Sequence, residues 1–208
     1  GDIGSPLEKK YWDYMDYLSY NFDDTFFTTG NHEYWNDKGY SIDNINNIIN
    51  DKIISYNNIY YLNNNKIILD DYEILGSTLW SNPNKNNIKS MDFLNIYAEE
   101  NKRLTPKKIR KLFNKNKSWL ERNIKKNKKK KIILTHYLPS YKFTKKYKKY
   151  KYVHSLFASD LEYLMNDPVK LWIFGHTHDN FVSYINNIPC CVNALGMKLN
   201  VNLNEIKL

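Results

Sequence analysis

The sequence predicts an α/β domain. Short apolar runs of strand type alternate with stretches whose apolar residues recur every three or four positions. Three of the runs end directly in glycine- or histidine-containing motifs, as strands do where a sheet edge carries a site. Neither an internal repeat nor a long linker interrupts the pattern, so a single domain over residues 1–208 is expected.

Ser5-Pro6-Leu7-Glu8 has the composition of a capping box with proline in the first helical turn. Leu7, Tyr11, Met15 and Leu18 follow on one helical stripe, which predicts a helix ending near Asn21. Asp24–Thr29 reads as a short buried strand stopped by Gly30, and Ser41–Asp51 as a weaker helix. Ile59–Leu62 and Lys66–Leu69 flank the turn-forming Asn63-Asn64-Asn65, which predicts a hairpin. Glu73–Leu79 is a further strand and 82–87 a polar loop. Thr105-Pro106 opens a long helix with apolar positions at Ile109, Leu112, Phe113, Trp119 or Leu120, and Ile124. Lys131–Thr135 is a buried strand, Ser155–Met165 a helix and Val169–Phe174 a strand. Phe181–Ile185 and Ile188–Val192 form a hairpin across Asn186-Asn187.

With 208 residues, 42% of them hydrophobic, the chain can bury a substantial core. It holds no run of ~18 apolar residues that would cross a membrane. Its two cysteines, Cys190 and Cys191, are adjacent. Neighbours on a strand face opposite ways, so a disulfide between them is strained. They read as small strand hydrophobes in a reducing compartment, which predicts a cytoplasmic protein. The formal net charge of +9 comes largely from lysine, concentrated in Lys125–Lys131 and Lys142–Lys151. Aromatics interleave the second run, as in a nucleic-acid groove. Lys, Asn, Ile and Tyr are abundant along the whole chain, however, and solvated surface is the favoured reading, so nucleic acid is not the favoured partner.

The polar residues that follow the strands carry the chemistry. FFTT runs into Gly30-Asn31-His32-Glu33, KIILT into His136-Tyr137, and LWIF into Gly175-His176-Thr177-His178. Four of the five histidines thus stand just past a strand end, and the fifth, His154, precedes a helix. One histidine is an ordinary structural residue; several delivered to one sheet edge suit a transition metal, for which neutral imidazole is a common ligand. Carboxylate is available from Asp2 in GDIGSP, which stands where another strand would have ended, and Glu33 and Asp179 adjoin the motifs as supporting groups.

Asp2 in GD, GNHE at Gly30–Glu33, His136, and GHTH at Gly175–His178, in that order, resemble the calcineurin-like metallophosphoesterases. GSTLWS around Ser77–Trp80, LTP at Leu104–Pro106, SWLE at Ser118–Glu121, THYLPS at Thr135–Ser140 and FASDLE at Phe157–Glu162 extend the likeness along nearly the whole chain. The resemblance implies a four-layer α/β/β/α sandwich holding two divalent ions of Mn, Fe, Zn or Mg. It implies that Asp2 bridges them, that Asn31, His136 and His176 complete the ligands of the second, and that His178 binds the first. His32 would bind no metal and would help the leaving oxygen depart, while Asn31 would also stabilise charge on the phosphoryl group. The implied reaction is hydrolysis of a phosphomonoester or phosphodiester by a metal-bridging hydroxide.

The family's first motif, Asp-x-His, occurs nowhere in these 208 residues. An N-terminally truncated domain, with its first strand missing and its turnover impaired, is therefore expected. Two other functions remain open from sequence: a nuclease, which would use Lys142–Lys151, and a non-catalytic scaffold, against which the intact His32, Asn31, His176 and His178 speak. Tyr34, Trp35, Trp80 and Tyr137 adjoin the motifs and either stack a substrate ring or, as favoured here, pack the rim.

Overall fold

Local chemistry sets most of the elements of the computed structural model, which describes residues 1–84, 89–145 and 154–194. Helix α1 (Lys9–Asn21) buries Tyr11, Trp12 and Met15. It begins later than the sequence suggests. Glu8 is its N-cap and no side chain caps it, because Ser5–Glu8 closes a separate turn, with Glu8 N–H donating to the Ser5 carbonyl. Strand β1 (Thr25–Phe27) follows. Helix α2 (Ile42–Ile53) is capped reciprocally by Ser41 and Asn44, and it buries Ile42, Ile45 and Ile49. Then come β2 (Ile59–Tyr61), β3 (Asn65–Leu69), β4 (Tyr72–Ser77), the short α3 (Asp92–Asn95), β5 (Tyr97–Glu99) and β6 (Lys102–Arg103). Thr105 caps α4 (Pro106–Lys125), whose buried stripe is Ile109, Phe113, Asn116, Leu120 and Ile124. The chain continues through β7 (Lys130–Thr135), α5 (His154–Phe157), β8 (Val169–Ile173), β9 (Asn180–Ile185) and β10 (Ile188–Asn193).

Six strands form one sheet in the order β3-β4-β7-β8-β10-β9. The inner four, β4, β7, β8 and β10, are parallel, so their carboxyl ends share one edge; β3 and β9 run antiparallel at the margins. A second sheet pairs β1 with β2 in parallel, and α1 and α2 pack against β2 while α4 packs against β4. The layers are those of an α/β/β/α sandwich, and a continuous cluster of buried side chains runs from Tyr11 to Val192.

Two expectations give way to tertiary pairing. The predicted hairpin of Ile59–Leu62 with Lys66–Leu69 does not form. Ile59–Tyr61 joins β1 instead, stacking Phe27 on Tyr61 and Phe26 on Tyr60, while β3 turns through Asp70 (φ +51°) onto β4. The predicted helix Ser155–Met165 is broken after Phe157. Leu138 N–H donates to the Phe157 carbonyl and Ser159 N–H to the Leu138 carbonyl, so Ala158 is drawn into a β-bridge and only a one-turn helix at Glu162–Leu164 follows. The hairpin across Asn186-Asn187 forms as expected, with both residues at positive φ, +50° and +64°.

The lysine runs divide. Lys125, Lys126 and Lys128–Lys130 are exposed, as a solvated face requires, and Lys146–Lys151 lie outside the described residues. Lys131 is fully buried and pairs with Glu73, which Lys66 and Asn127 also contact. Burial opposes ionisation of Glu73, but the hydrogen bonds from Lys131, Lys66 and Asn127 outweigh it and lower the carboxyl from 4.5 to about 2. Glu73→Gln is expected to cost about 3–5 kcal/mol at neutral pH, because Lys131 is left buried without a counter-charge. A lowered folded-state pKa stabilises above the unfolded value and is lost as pH falls through the folded one. Urea-unfolding free energies of parent and variant should therefore differ fully at pH 7 and converge between 4.5 and about 2; a constant gap would contradict the pairing.

Candidate metal centre

The parallel arrangement carries His136 and His176 to the same sheet edge, because β7 and β8 are neighbours and each ends one to three residues before its histidine. Asn31 and His32 arrive from the end of β1. The N-terminal segment is fastened to that loop by Glu33, which is fully buried. Its carboxylate accepts from the backbone N–H groups of Asp2 (2.9 Å), Ile3 (2.7 Å) and Gly30 (2.7 Å). Glu33 thus does not face the cluster; it fixes where Asp2 begins.

Four of the five expected ion-holding residues converge. His136 Nε2 lies 3.1 Å from Asn31 Oδ1, 3.1 Å from His176 Nδ1 and 3.3 Å from Asp2 Oδ2. The donor atoms of Asp2, His136 and His176 all lie within 4.8 Å of one another. The donor set suits a divalent cation in two respects. Bonds of ~2.0–2.2 Å to one centre put neighbouring donors roughly 3 Å apart. In addition, four lone-pair atoms meet here with at most two ring protons to share. A cation satisfies what hydrogen bonds cannot.

Electrostatics prepare the same state. Burial resists charging of Asp2, but His136, His176 and the His32 backbone N–H together hold its carboxyl well below the usual range. Burial, and after it repulsion from His136, holds His176 well below the ordinary imidazole range. A charged carboxylate beside a neutral imidazole is the form that binds metal without first losing protons.

His178 stands apart. It is exposed and lies outside the Asp2–His136–His176 group, but it lines the same cleft of about 410 Å³. Asp2, His176 and His178 all have positive φ, +62°, +65° and +49°. Such backbone conformations are costly for residues with side chains and concentrate where function requires them. His32 donates its backbone N–H to Asp2 Oδ1 (3.0 Å), and its ring, which lines the cleft, stacks on Trp35 with centroids 4.1 Å apart.

Of the four aromatic residues beside the motifs, Tyr34, Trp80 and Tyr137 are buried in the core, and only Trp35 reaches the cleft. Packing is therefore their role, with Trp35 the exception. Asp179 accepts from the Asn180 N–H and takes no part in the Asp2–His136–His176 group. His154 lies 3.4 Å from Thr144 Oγ1. Sequence reasoning missed Asp92, which contacts both Asn31 and Trp35. Nothing near it signals the role, since 61 residues separate it from Asn31.

The chain is similar to known proteins in sequence and in fold. The family described as Calcineurin-like phosphoesterase matches residues 1–180. The chain is 34% identical over 213 aligned residues to "Uncharacterized protein L509" of Acanthamoeba polyphaga mimivirus, covering 94% of this chain and 76% of the viral protein. Among solved structures, the fold is similar to that of the phosphopantetheinyl hydrolase PptH from Mycobacterium tuberculosis, with a TM-score of 0.72 at 10% identity, covering 90% of this chain and 74% of that one.

Proposed function

Because this chain belongs to the calcineurin-like phosphoesterase family, whose members hydrolyse phosphoesters and bind divalent metals, we propose that its cleft is a dinuclear hydrolytic centre. Asp2, Asn31, His136 and His176 would hold one ion, and His178 would contribute to a second. The observation that carries this reading is the meeting of three donor atoms within 3.3 Å of His136 Nε2.

When bound, the ions supply Lewis acidity, which makes water nucleophilic near neutral pH and offsets charge on the phosphoryl oxygens. The chain's own residues supply the rest. Asp2, already ionised, and His176, already neutral, need no proton release to act as ligands. Asn31 offers an amide oxygen from a buried position, so its orientation costs no reordering. His32, pressed against Trp35, faces the cleft with its backbone tied to Asp2. There it donates a proton to the departing oxygen, whether the substrate is a monoester or a diester.

The test uses the chain with Mn²⁺ and the model substrates p-nitrophenyl phosphate and bis-p-nitrophenyl phosphate. Slow turnover, abolished by EDTA and restored by Mn²⁺, is expected, because no Asp-x-His motif among these residues adds ligands to the ion at His178. His32→Ala should lower kcat about 10²–10⁴-fold, the usual worth of a general acid, while Mn²⁺ affinity stays within about threefold by calorimetry. A variant that loses Mn²⁺ in proportion to rate would instead make His32 a ligand. Stoichiometric metal analysis that found no ion in an active protein would sink the dinuclear reading.

A further inference from the structure

We propose that Asp92 is a positioning residue that turns the Asn31 amide so that its oxygen, not its nitrogen, faces the metal cluster. The inference rests on the proposed reading of the centre and adds a residue that the sequence motifs do not contain.

An asparagine amide has two faces of similar shape and opposite function. Its oxygen can bind a cation; its NH₂ group cannot. In a loop that merely delivers Asn31 to the cleft, either face could point inward. The neighbour decides. Asn31 Nδ2 donates to Asp92 Oδ1 at 2.9 Å, and an ionised carboxylate only accepts. The side of the amide that meets Asp92 must therefore be the nitrogen, which leaves Asn31 Oδ1 on the other side, 3.1 Å from His136 Nε2. The flipped amide would set oxygen against carboxylate oxygen on one side and an NH₂ group against the cluster on the other.

Asp92 is itself held. The same Oδ1 accepts from the Trp35 indole N–H at 2.8 Å, and the Asp92 backbone N–H donates to Ser90 Oγ at 3.2 Å. Asp92 is 8% exposed and Asn31 4% exposed, so water competes little for these bonds, and hydrogen bonds to a charged acceptor are about twice as strong as neutral ones. Trp35 in turn carries the His32 ring on its face. One carboxylate oxygen therefore bonds a proposed ligand and the support of the proposed acid, from the start of α3.

The experiment is a Mn²⁺ calorimetric titration of the parent chain, Asp92→Leu, Asn31→Ala and the double variant, with unfolding midpoints in EDTA as a check on folding. Asp92→Leu should weaken Mn²⁺ about 10–100-fold, the loss typical of removing a partner that orients a ligand. The double variant should bind no more weakly than Asn31→Ala, because the Asn31 amide is the proposed ligand that Asp92 bonds. Should Asp92→Leu fail to fold, Asp92→Asn carries the same comparison with a smaller expected loss, about 3–10-fold, since an acceptor oxygen remains but the charge does not. Undiminished affinity in an Asp92 variant, or losses that add in the double variant, overturn the inference while leaving the proposed centre intact. Absence of Mn²⁺ binding by the parent overturns both.

Discussion

His136→Ala should remove Mn²⁺ binding, by at least ~100-fold in affinity, and with it phosphoesterase turnover. The size follows from the position of one atom. His136 Nε2 is the point on which Asn31 Oδ1, His176 Nδ1 and Asp2 Oδ2 converge, so the substitution takes away a donor from the middle of the set. Loss of a partner that merely orients a ligand costs roughly 10–100-fold, and loss of the ligand itself exceeds that. The ring is also buried, against Tyr137 on one side and His176 on the other, so some stability is lost with it, about 1–3 kcal/mol for a truncation of this kind. Calorimetry with Mn²⁺, rates with bis-p-nitrophenyl phosphate and a thermal melt in EDTA separate the two effects. A folded His136→Ala protein that binds Mn²⁺ as the parent does would refute the proposed centre. His178→Ala, by contrast, should leave the ion at His136 in place, since His178 lies on the exposed rim.

Gly30→Ala is expected to be as damaging, although it removes no functional group. A methyl group at residue 30 would lie 2.2 Å from Asp2 Oδ1 and 2.5 Å from His136 Cε1, well inside van der Waals contact. Neither neighbour can retreat freely. Asp2 is anchored through its backbone to Glu33, and the His136 ring is buried among Tyr137, His176 and the Gly175 loop. Overpacking of this kind costs about 1–3 kcal/mol, and relief by moving Asp2 pulls the carboxylate out of the cluster. Reduced unfolding free energy together with loss of Mn²⁺ binding is the expected pair of results. Parent-like Mn²⁺ affinity in Gly30→Ala would mean that Asp2 is not held where it is described.

The local elements were largely legible in the sequence. Thr105-Pro106 caps α4 and Asn186-Asn187 turns β9 into β10, because each signal acts on residues a few positions away. Less legible were features set by partners distant in the chain. Asn63-Asn64-Asn65 looks like a hairpin turn, yet β2 is claimed by β1 and β3 by β4. Lys131 lies within a run of surface lysines, yet Glu73, 58 residues away, draws it into the interior. Tyr34, Trp80 and Tyr137 flank the motifs in sequence and still belong to the core.

The sequence by itself determined the chemical inventory: the order GD, GNHE, His136 and GHTH, and strand ends that deliver imidazole, amide and carboxylate to one edge. Tertiary structure alone decided how those groups are aimed. It set Glu33 on three backbone N–H groups rather than on the cluster, left His178 on the rim, and brought Asp92 to the far side of the Asn31 amide. The physical reason is that residue type fixes which atoms can donate or accept, whereas the direction of a side chain depends on what is packed against it, and those neighbours come from remote segments of the chain.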